Sequence, residues 1–401
     1  MRVSRVIPIE NRNDAQRCLR EIGADPVGVG IMVPKGVFRA VLVKDVPART
    51  ANILKQEMLS KGGEAAVRRE TVLAEGRTDV LLFGTLRQYQ LLLKKLRMQP
   101  FGLKHLAGEL ETLLARVEMN EPQTIALAGG KQLELMRRPL VMGILNVTPD
   151  SFSDGGLYLD PAKAAEHALE MVAEGADIID IGGFSTRPGA EPVSAAIETE
   201  RVLPVLKAVR GQFLGPISVD TFRASVAREA LAAGADIIND VSGLKADPDL
   251  AGIIADAGCA AILMHYRMQG GAYHDLVDEV IAELAESMQI STDKGIDPKR
   301  IMLDPGIGFG KTAEENLVLL KQLKVLHGLG RPLVVGASRK SFIGKILNVP
   351  PPERGDGSVG AAVAAYLNGA AILRVHDVRA SRHALDVAAA IRTAESVMST
   401  E

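Results

Sequence analysis

The sequence predicts a (β/α)8 barrel, a TIM barrel, preceded by a small α/β accessory domain. From about residue 123 onward, short apolar runs alternate with amphipathic stretches eight times. Eight such units over roughly 260 residues match the size of a TIM barrel. Polar residues follow nearly every apolar run, and the carboxyl ends of barrel strands meet at one mouth. An open doubly wound sheet also alternates strands and helices, but it usually has fewer strands.

Residues 1–120 predict the accessory domain, and its role cannot be read from the residues. A capped helix is expected over 13–23 and a strand over 38–46. Further on, the sequence predicts a helix in ARTANILKQEMLSKGG, a buried strand in DVLLFGT, and helices in LRQYQLLLKKLRMQ and LKHLAGELETLLARVE. This part of the sequence has no phosphate loop, metal-ligand cluster or nucleophile with a base.

Composition and charge narrow the class of protein. Residues 1–100 carry 18 Lys and Arg against 10 Asp and Glu, a surplus of +8 in a chain of net charge −2. Because few aromatic side chains are available for base stacking, this surplus predicts a solvated surface and no nucleic-acid partner. Two distant cysteines indicate a reducing compartment, and no uncharged run of about 18 residues could span a bilayer. We therefore expect a cytoplasmic protein without a membrane partner.

Residues 121–401 are expected to form the barrel. The segment QTIALAGGKQLELM predicts a hairpin with glycines at its turn. The eight strands follow in the order LVMGILNV, DIIDIGG, PISVDT, DIINDVS, AAILMHY, IMLDPG, PLVVGAS and ILRVHDV.

The strand ends bring together three kinds of chemical group. Carboxylates and amides (Asp220, Asn239 and Asp304) can pair with the edge of a flat heterocycle. Cations (Arg339, Lys340 and Arg374, with His376) can hold a phosphate or diphosphate. Glycine-rich turns at 155–156, 182–183 and 306–308 allow backbone N–H groups to approach a ligand. The sequence thus predicts a site for a nitrogen-rich ring with a phosphorylated arm.

Simpler structural roles are open for several of these residues. Asp220 could cap the helix that follows it, and Asp304 could shape a turn before Pro305 and Gly306. Lys340 could be a solvated residue at a helix start. Arg374 favours function, because a charge on an apolar strand is costly unless an anion meets it.

Seven motifs amount to a resemblance to the dihydropteroate synthase family. They are NVTPDSFSDGG (146–156), STRPGA (185–190), SVDT (218–221), IND (238–240), LDPGIGFGK (303–311), SRKSFIG (338–344) and RVHDV (374–378). They occur in the family's order, and the match covers about residues 123–401.

The resemblance implies that 6-hydroxymethyl-7,8-dihydropterin diphosphate is joined to 4-aminobenzoate, giving 7,8-dihydropteroate and diphosphate. It implies Mg²⁺ as the cofactor, bound by Asn146 on the diphosphate. Further implied roles are pterin binding for Asp220, Asn239, Asp304 and Lys340, diphosphate binding for Arg374 and His376, and mobile-loop or aminobenzoate contacts for Phe152, Asp154, Thr186, Arg187, Pro188 and Ser338. Phe309 is a further implied substrate contact, and Lys340, Asp304, Arg374 and His376 are the implied catalytic group.

The chemistry agrees with this assignment. An aniline nitrogen is already neutral at pH 7, so the reaction needs no strong general base. The difficult event is separation of the CH₂–O bond while charge builds on the diphosphate, and cations placed there stabilise that charge. We expect a loose, dissociative displacement behind closed loops that exclude water.

Two departures from the family pattern stand out. Phe184 occupies a position where the family commonly has glutamate, next to the loop expected to bind aminobenzoate. HYRMQG replaces the shorter histidine-methionine-glutamine-glycine. His265 is expected to be a pocket wall or core residue, with a ligand contact as the alternative, since no His or Cys lies near it at metal spacing. The alternatives are a methyltetrahydrofolate-binding methyltransferase and a non-catalytic pterin-binding protein. Family members are usually dimers, so a homodimer is expected.

Overall fold

The computed structural model describes residues 4–73, 75–118, 124–135, 138–148, 160–184 and 193–394. The chain divides into two compact units, Met1–Asn120 and Glu121–Glu401. No helix in these described ranges is both long and apolar enough to cross a membrane.

The first unit is an antiparallel three-stranded sheet with helices, its strands in the order β1-β3-β2. Its elements are α1 (Arg12–Glu21), α2 (Pro26–Gly36), β1 (Phe38–Pro47), α3 (Ala48–Leu59), β2 (Glu64–Val67), β3 (Arg77–Thr85), α4 (Leu86–Leu96) and α5 (Leu103–Val117). Leu54, Met58, Leu82 and Leu92 are fully buried and form the centre of its own core.

Two features of this unit differ from the sequence prediction. Helix α1 begins at Arg12, because the Asn11 side chain accepts a hydrogen bond from the Asp14 N–H and caps the helix two residues before Asn13. Helix α2 and strand β2 were not predicted. The apolar residues of α2 have no clear helical period, although Asp25 and Pro26 are a typical helix start.

The second unit is the predicted TIM barrel. The strands are β6 (Leu140–Asn146), β7 (Ile178–Gly182), β8 (Ile217–Asp220), β9 (Ile237–Asp240), β10 (Ala260–Met264), β11 (Ile301–Asp304), β12 (Val334–Val335) and β13 (Ile372–Val375). Neighbouring strands are parallel, in the order β11-β10-β9-β8-β7-β6-β13-β12. A parallel bridge between Leu303 and Leu333 joins the two end strands, so the sheet closes on itself. The predicted fold class is confirmed.

Helices surround this barrel. They are α6 (Pro161–Ala173), α7 (Ala195–Arg210), α8 (Ala224–Ala232), α9 (Leu250–Ala257), α10 (Leu276–Asp293), α11 (Ala313–Lys321), α12 (Ser341–Leu347), α13 (Gly355–Leu367) and α14 (Val378–Thr393). One face of each strand packs on these helices in a continuous apolar layer.

A hairpin closes the amino-terminal end of the barrel. Its strands are β4 (Thr124–Ala126) and β5 (Gln132–Glu134), which pair antiparallel as the glycines at 129–130 predict. Ile125 and Leu133 of the hairpin pack in one buried cluster with Leu140 and Ile372, the first residues of β6 and β13. Because this end is filled with apolar side chains, a ligand must enter from the carboxyl ends of the strands.

Candidate active site

The carboxyl ends of the barrel strands place the polar side chains that the sequence singles out. Asn146, Asp220 and Asp304 are the last residues of β6, β8 and β11, and Asn239 is the last residue but one of β9. Inward-facing side chains at these ends come together at one mouth, as in other barrels of this kind.

Arg374 of β13 lies at the centre of this group and is held by two carboxylates. Its Nε donates to Asp180 Oδ2 at 2.6 Å, and its Nη2 donates to Asp220 Oδ2 at 2.9 Å. Asn239 Nδ2 also donates to Asp180 Oδ2, at 3.4 Å. The protein itself therefore supplies anions to this strand arginine. They are Asp180, 194 positions away in the sequence, and Asp220, 154 positions away.

Asp220 does not cap a helix, so that alternative is wrong. Helix α8 begins at Ala224, and the carboxylate that accepts a hydrogen bond from the Ala224 N–H belongs to Asp247, at 2.8 Å. The Oδ1 atoms of Asp180 and Asp220 are buried and have no hydrogen-bond partner among the described residues. Burial raises the pKa of Asp220 to about 7, Arg374 opposes that rise, and Asp180 adds to it.

Asp304 combines a structural contact with an unusual protonation equilibrium. Its Oδ1 accepts a hydrogen bond from the Gly306 N–H at 2.7 Å, so the carboxylate does shape the turn that follows it. Burial raises the pKa of Asp304 to about 6, and the hydrogen bond from Gly306 and the charge of Lys340 act in the opposite direction. A buried carboxylate with a raised pKa at a barrel mouth is a typical functional group.

Lys340 lies at the start of a helix, which agrees with the simpler structural role considered for it. Its side chain also reaches the mouth of the barrel. It is the residue before α12, and its side chain makes no capping hydrogen bond. Its Nζ lies 3.9 Å from the centre of the Phe309 ring, within the range of a cation–π contact. The charge of Lys340 also acts on both Asp220 and Asp304.

Two further pairs of residues link the segment after β12 to the segment after β13. Ser338 Oγ is 3.0 Å from His376 Nδ1 and accepts a hydrogen bond from the His376 N–H at 3.2 Å. Arg339 donates to both carboxylate oxygens of Asp377, at 2.6 and 3.2 Å. Ser338 and His376 are thus adjacent, while the guanidinium of Arg339 is occupied by an ion pair.

Asn146 lies beside β7 at the mouth. A Cβ added at Gly182 would lie 3.6 Å from Asn146 Oδ1 and 3.9 Å from Asp220 Oδ2, so both oxygens approach the same glycine. Within the described ranges, no three His, Cys, Asp or Glu side chains form a group that could hold a metal. Asn146 therefore fits an ion that takes most of its ligands from a substrate and water, as Mg²⁺ commonly does.

Some of the predicted contacts cannot be placed. Phe152, Asp154, Thr186, Arg187 and Pro188 lie outside the described residues.

Phe184, at the border of that gap, packs edge-on against Phe222 with ring centres 5.3 Å apart. Arg223 lies over both rings, forms an ion pair with Glu198 and donates to the Val193 carbonyl oxygen at 2.7 Å.

His265 is buried, and both nitrogens of its ring contact other side chains of the protein, so the ring has a structural role and does not act as a base. Its Nε2 lies 2.9 Å from Glu283 Oε2, and its Nδ1 lies 3.0 Å from Lys311 Nζ. Burial, together with the charge of Lys311, lowers the pKa of His265 to about 4. Of the inserted segment, Tyr266 packs on Phe309 with ring centres 5.4 Å apart, and Arg267 binds Glu283.

Two residues in the site were not assigned a role from the sequence. Asp180 lies in the predicted strand DIIDIGG and binds both Arg374 and Asn239. Lys311 is the last residue of the motif LDPGIGFGK, but its contacts with His265, Gly306 and Phe309 have no signal in the sequence.

Comparison with known proteins gives matches over the barrel. Residues 142–376 match the family model described as pterin binding enzyme. The chain is similar to dihydropteroate synthase of Bacillus subtilis (strain 168), at 49% identity over 247 residues, which cover 62% of this chain and 86% of that protein. It also resembles a probable bifunctional folylpolyglutamate synthase/dihydropteroate synthase of Halobacterium salinarum, at 41% identity over 392 residues, covering 96% of this chain and 47% of that protein.

A solved structure gives the same result. Dihydropteroate synthase of Xanthomonas albilineans with 4-aminobenzoic acid matches with a TM-score of 0.65 and 43% identity, covering 69% of this chain and all of that one.

Proposed function

Because the chain belongs to the dihydropteroate synthase family of pterin-binding enzymes, we propose that it joins 6-hydroxymethyl-7,8-dihydropterin diphosphate to 4-aminobenzoate, forming 7,8-dihydropteroate and diphosphate. The observation that carries the proposal is the largely buried group around Arg374, in which the carboxylates of Asp180 and Asp220 lie beside a cation at the barrel mouth. A pterin diphosphate presents the complementary pair, a hydrogen-bonding ring edge and an anionic arm.

The carboxylates recognise the pterin ring. The ring edge carries N–H donors, and the buried oxygens Asp180 Oδ1 and Asp220 Oδ1 have acceptor capacity to meet them. Asn239 and Asp304, at the ends of β9 and β11, extend this polar wall. As the C–O bond breaks, positive charge spreads into the ring, and an ionised Asp304 stabilises that charge.

The leaving diphosphate is received on the β12–β13 side. Arg374 uses two N–H groups on Asp180 and Asp220, which leaves three of its five donors for phosphate oxygens. His376, next to Ser338, supplies a second donor at the end of the same strand. Asn146 would hold Mg²⁺ through its amide oxygen, and the ion would neutralise charge on the diphosphate.

The 4-aminobenzoate ring is proposed to pack against Phe309 and the aliphatic part of the Lys340 side chain. The Nζ atom of Lys340 already contacts the Phe309 ring. Ser338 and the loop residues Phe152, Asp154, Thr186, Arg187 and Pro188 would complete this side, following the family resemblance. The amine attacks the methylene once the bond to diphosphate is largely broken, because the neutral aniline is a weak nucleophile. The new C–N bond replaces the C–O bond, and the proton that the amine loses passes to the departing diphosphate or to water.

An assay for dihydropteroate formation tests the activity directly. We expect turnover by the full chain and its loss in Lys340→Ala. No product from the two substrates with Mg²⁺ would instead support a non-catalytic pterin-binding protein. Binding of pyrophosphate, measured by calorimetry, separates this enzyme from a methyltransferase, which has no need of a diphosphate seat.

The dissociative character of the step has its own test. We expect a small carbon isotope effect at the reacting methylene, since bond breaking runs ahead of bond making. A large effect would indicate a tight, associative displacement.

A homodimer is the proposed assembly. Val387 and Ile391 lie four residues apart on α14, 60% and 72% exposed, so they share one apolar face of a barrel helix. Light scattering after gel filtration should give the mass of two chains, and Val387→Glu with Ile391→Glu should give that of one.

A further inference from the structure

Lys311 joins two separate segments of the barrel mouth through its ammonium group. Its Nζ lies 3.0 Å from His265 Nδ1 and 3.4 Å from the His265 carbonyl oxygen, at the end of β10. On the other side it lies 3.0 Å from the Gly306 carbonyl oxygen and 3.2 Å from that of Phe309. A charged donor with four acceptors around it is held in one place.

These contacts fix the tautomer of His265. A lysine ammonium only donates, so Nδ1 of His265 must accept, and the ring hydrogen must reside on Nε2. From there it is donated to Glu283 Oε2 at 2.9 Å. The lowered pKa of His265, about 4, agrees with a neutral ring at physiological pH. Arg267, which donates to Glu283 at 2.8 Å, anchors the far end of this chain of contacts.

The segment 306–309, here called the glycine turn, fits closely between its neighbours. Gly306 has φ +69°, and a Cβ there would lie 2.0 Å from the His265 carbonyl oxygen. Gly308 has φ +81°, and a Cβ there would lie 2.7 Å from Lys340 Cδ. The position of the glycine turn therefore determines where Phe309 and Lys340 meet.

We propose that Lys311 is a positioning residue that ties the glycine turn to the end of β10 and thereby sets the affinity for the substrate that packs on Phe309. This inference rests on the proposed function, which assigns that substrate as 4-aminobenzoate. Lys311 itself acts through Phe309 and Lys340, and the reacting atoms are contacted by other residues.

The charge state of Lys311 gives the proposal a dependence on pH. The pKa of Lys311 is lowered to about 8, mainly by burial and in part by the charge of Arg267, while Asp304, Glu283 and Glu315 oppose this shift. His265, the remaining titratable neighbour, is neutral throughout this range. As the pH rises past about 8, the ammonium loses one of its three donors and its charge, so its hold on the carbonyl oxygens weakens.

The experiment compares full-length Lys311→Met, Lys311→Gln and Lys321→Met at pH 7.5. Methionine keeps most of the length of the side chain but has no donor, and glutamine keeps two N–H groups. Lys321 is an exposed lysine on α11 that serves as the matched control. For Lys311→Met we expect KM for 4-aminobenzoate to rise about tenfold, with KM for the pterin diphosphate changed less than about threefold. Lys311→Gln should fall between this variant and the wild type, and Lys321→Met should match the wild type.

Two readouts distinguish positioning from a general loss of structure. In the wild type, KM for 4-aminobenzoate should rise between about pH 8 and 9, and this rise should be absent in Lys311→Met. Hydrogen exchange of the Phe309 amide, which donates to the Gly306 carbonyl oxygen at 3.1 Å, should quicken in Lys311→Met without any substrate present.

The outcomes separate this inference from the proposed function. Unchanged exchange at Phe309, or equal rises in both KM values, would overturn the positioning role. Absence of dihydropteroate formation by the wild type would overturn the proposed function, and the exchange measurement would still decide whether Lys311 holds the turn.

Discussion

At the scale of single residues, Arg374 is a largely buried cation between the fully buried carboxylate of Asp180 and the largely buried carboxylate of Asp220. Arg374→Met would leave Asp180 and Asp220 without their cation, and removal of one partner from a buried ion pair typically costs about 3–5 kcal/mol. We expect a loss of this size in the free energy of unfolding, measured by urea denaturation at pH 7.5. The control is Arg379→Met, whose arginine is 70% exposed beside Glu174 and should cost less than about 1 kcal/mol. Similar losses in both variants would contradict the pairing.

Asp304 illustrates a conflict between stability and activity. Because its pKa is raised to about 6, the folded protein holds a proton that the unfolded chain releases from about pH 4 upward. Stability contributed by this group therefore falls as the pH rises through that window, and at pH 7.5 the charged side chain costs up to about 3 kcal/mol. Asp304→Asn should unfold at a higher temperature at pH 7.5 and yet lose most of its kcat/KM.

Asp304 should also determine how kcat/KM of the wild-type enzyme changes at acid pH. kcat/KM should decline as the pH falls through about 6, because the protonated carboxyl no longer stabilises positive charge on the ring. A wild-type profile that stays flat down to pH 5 would show that the charge of Asp304 is not used.

At the scale of structural elements, the glycine turn governs the placement of Lys340. In Gly308→Ala the new methyl group would meet Lys340 Cδ, and the backbone would have to keep a positive φ that costs about 1 kcal/mol for alanine. We expect a small loss of stability with a larger loss of kcat/KM, measured by thermal unfolding and by product formation. Gly252→Ala is the control, since a Cβ there meets no atom within 4 Å.

The elements that could be predicted from the sequence are those whose residues carry a local signal. All eight barrel strands follow from short apolar runs that end in polar residues, such as the run that leads to Asp220. Helix α2 gave no such signal, because VGVGIMVPKG is apolar on most sides and contains Pro34. Strand β2, with only four residues, is too short for a period to be recognised.

The sequence predicted which residues make up the candidate site, but it did not predict how their side chains pair. Polar strand ends predicted that Asp220, Asp304 and Arg374 share one mouth. Nothing local could indicate that Arg374 binds Asp180, 194 positions away, because that pairing depends on which side chains barrel closure brings together. The contacts of Lys311 with His265, 46 positions apart, escaped the sequence for the same reason.

At the scale of the whole molecule, each compact unit has its own sheet and its own buried core. A chain of residues 121–401 should therefore fold alone, with a cooperative thermal transition and a kcat/KM within about threefold of the full chain. Circular dichroism and the product assay check this expectation. Aggregation, or activity lost while the fold persists, would show that residues 1–120 contribute to the barrel's function.

The crowding of acids around one guanidinium has a calorimetric consequence. Near neutral pH the ligand-free protein carries Asp220 as a mixture of its acid and its anion, since its pKa is raised to about 7. A heterocycle that donates N–H groups to Asp220 Oδ1 favours the ionised form of this carboxyl group. Binding of the heterocycle should therefore release protons into the solution. Heats of pterin binding recorded in Hepes and in Tris buffer, which differ in ionisation enthalpy, should then diverge at about pH 7.5 and converge at about pH 8.5.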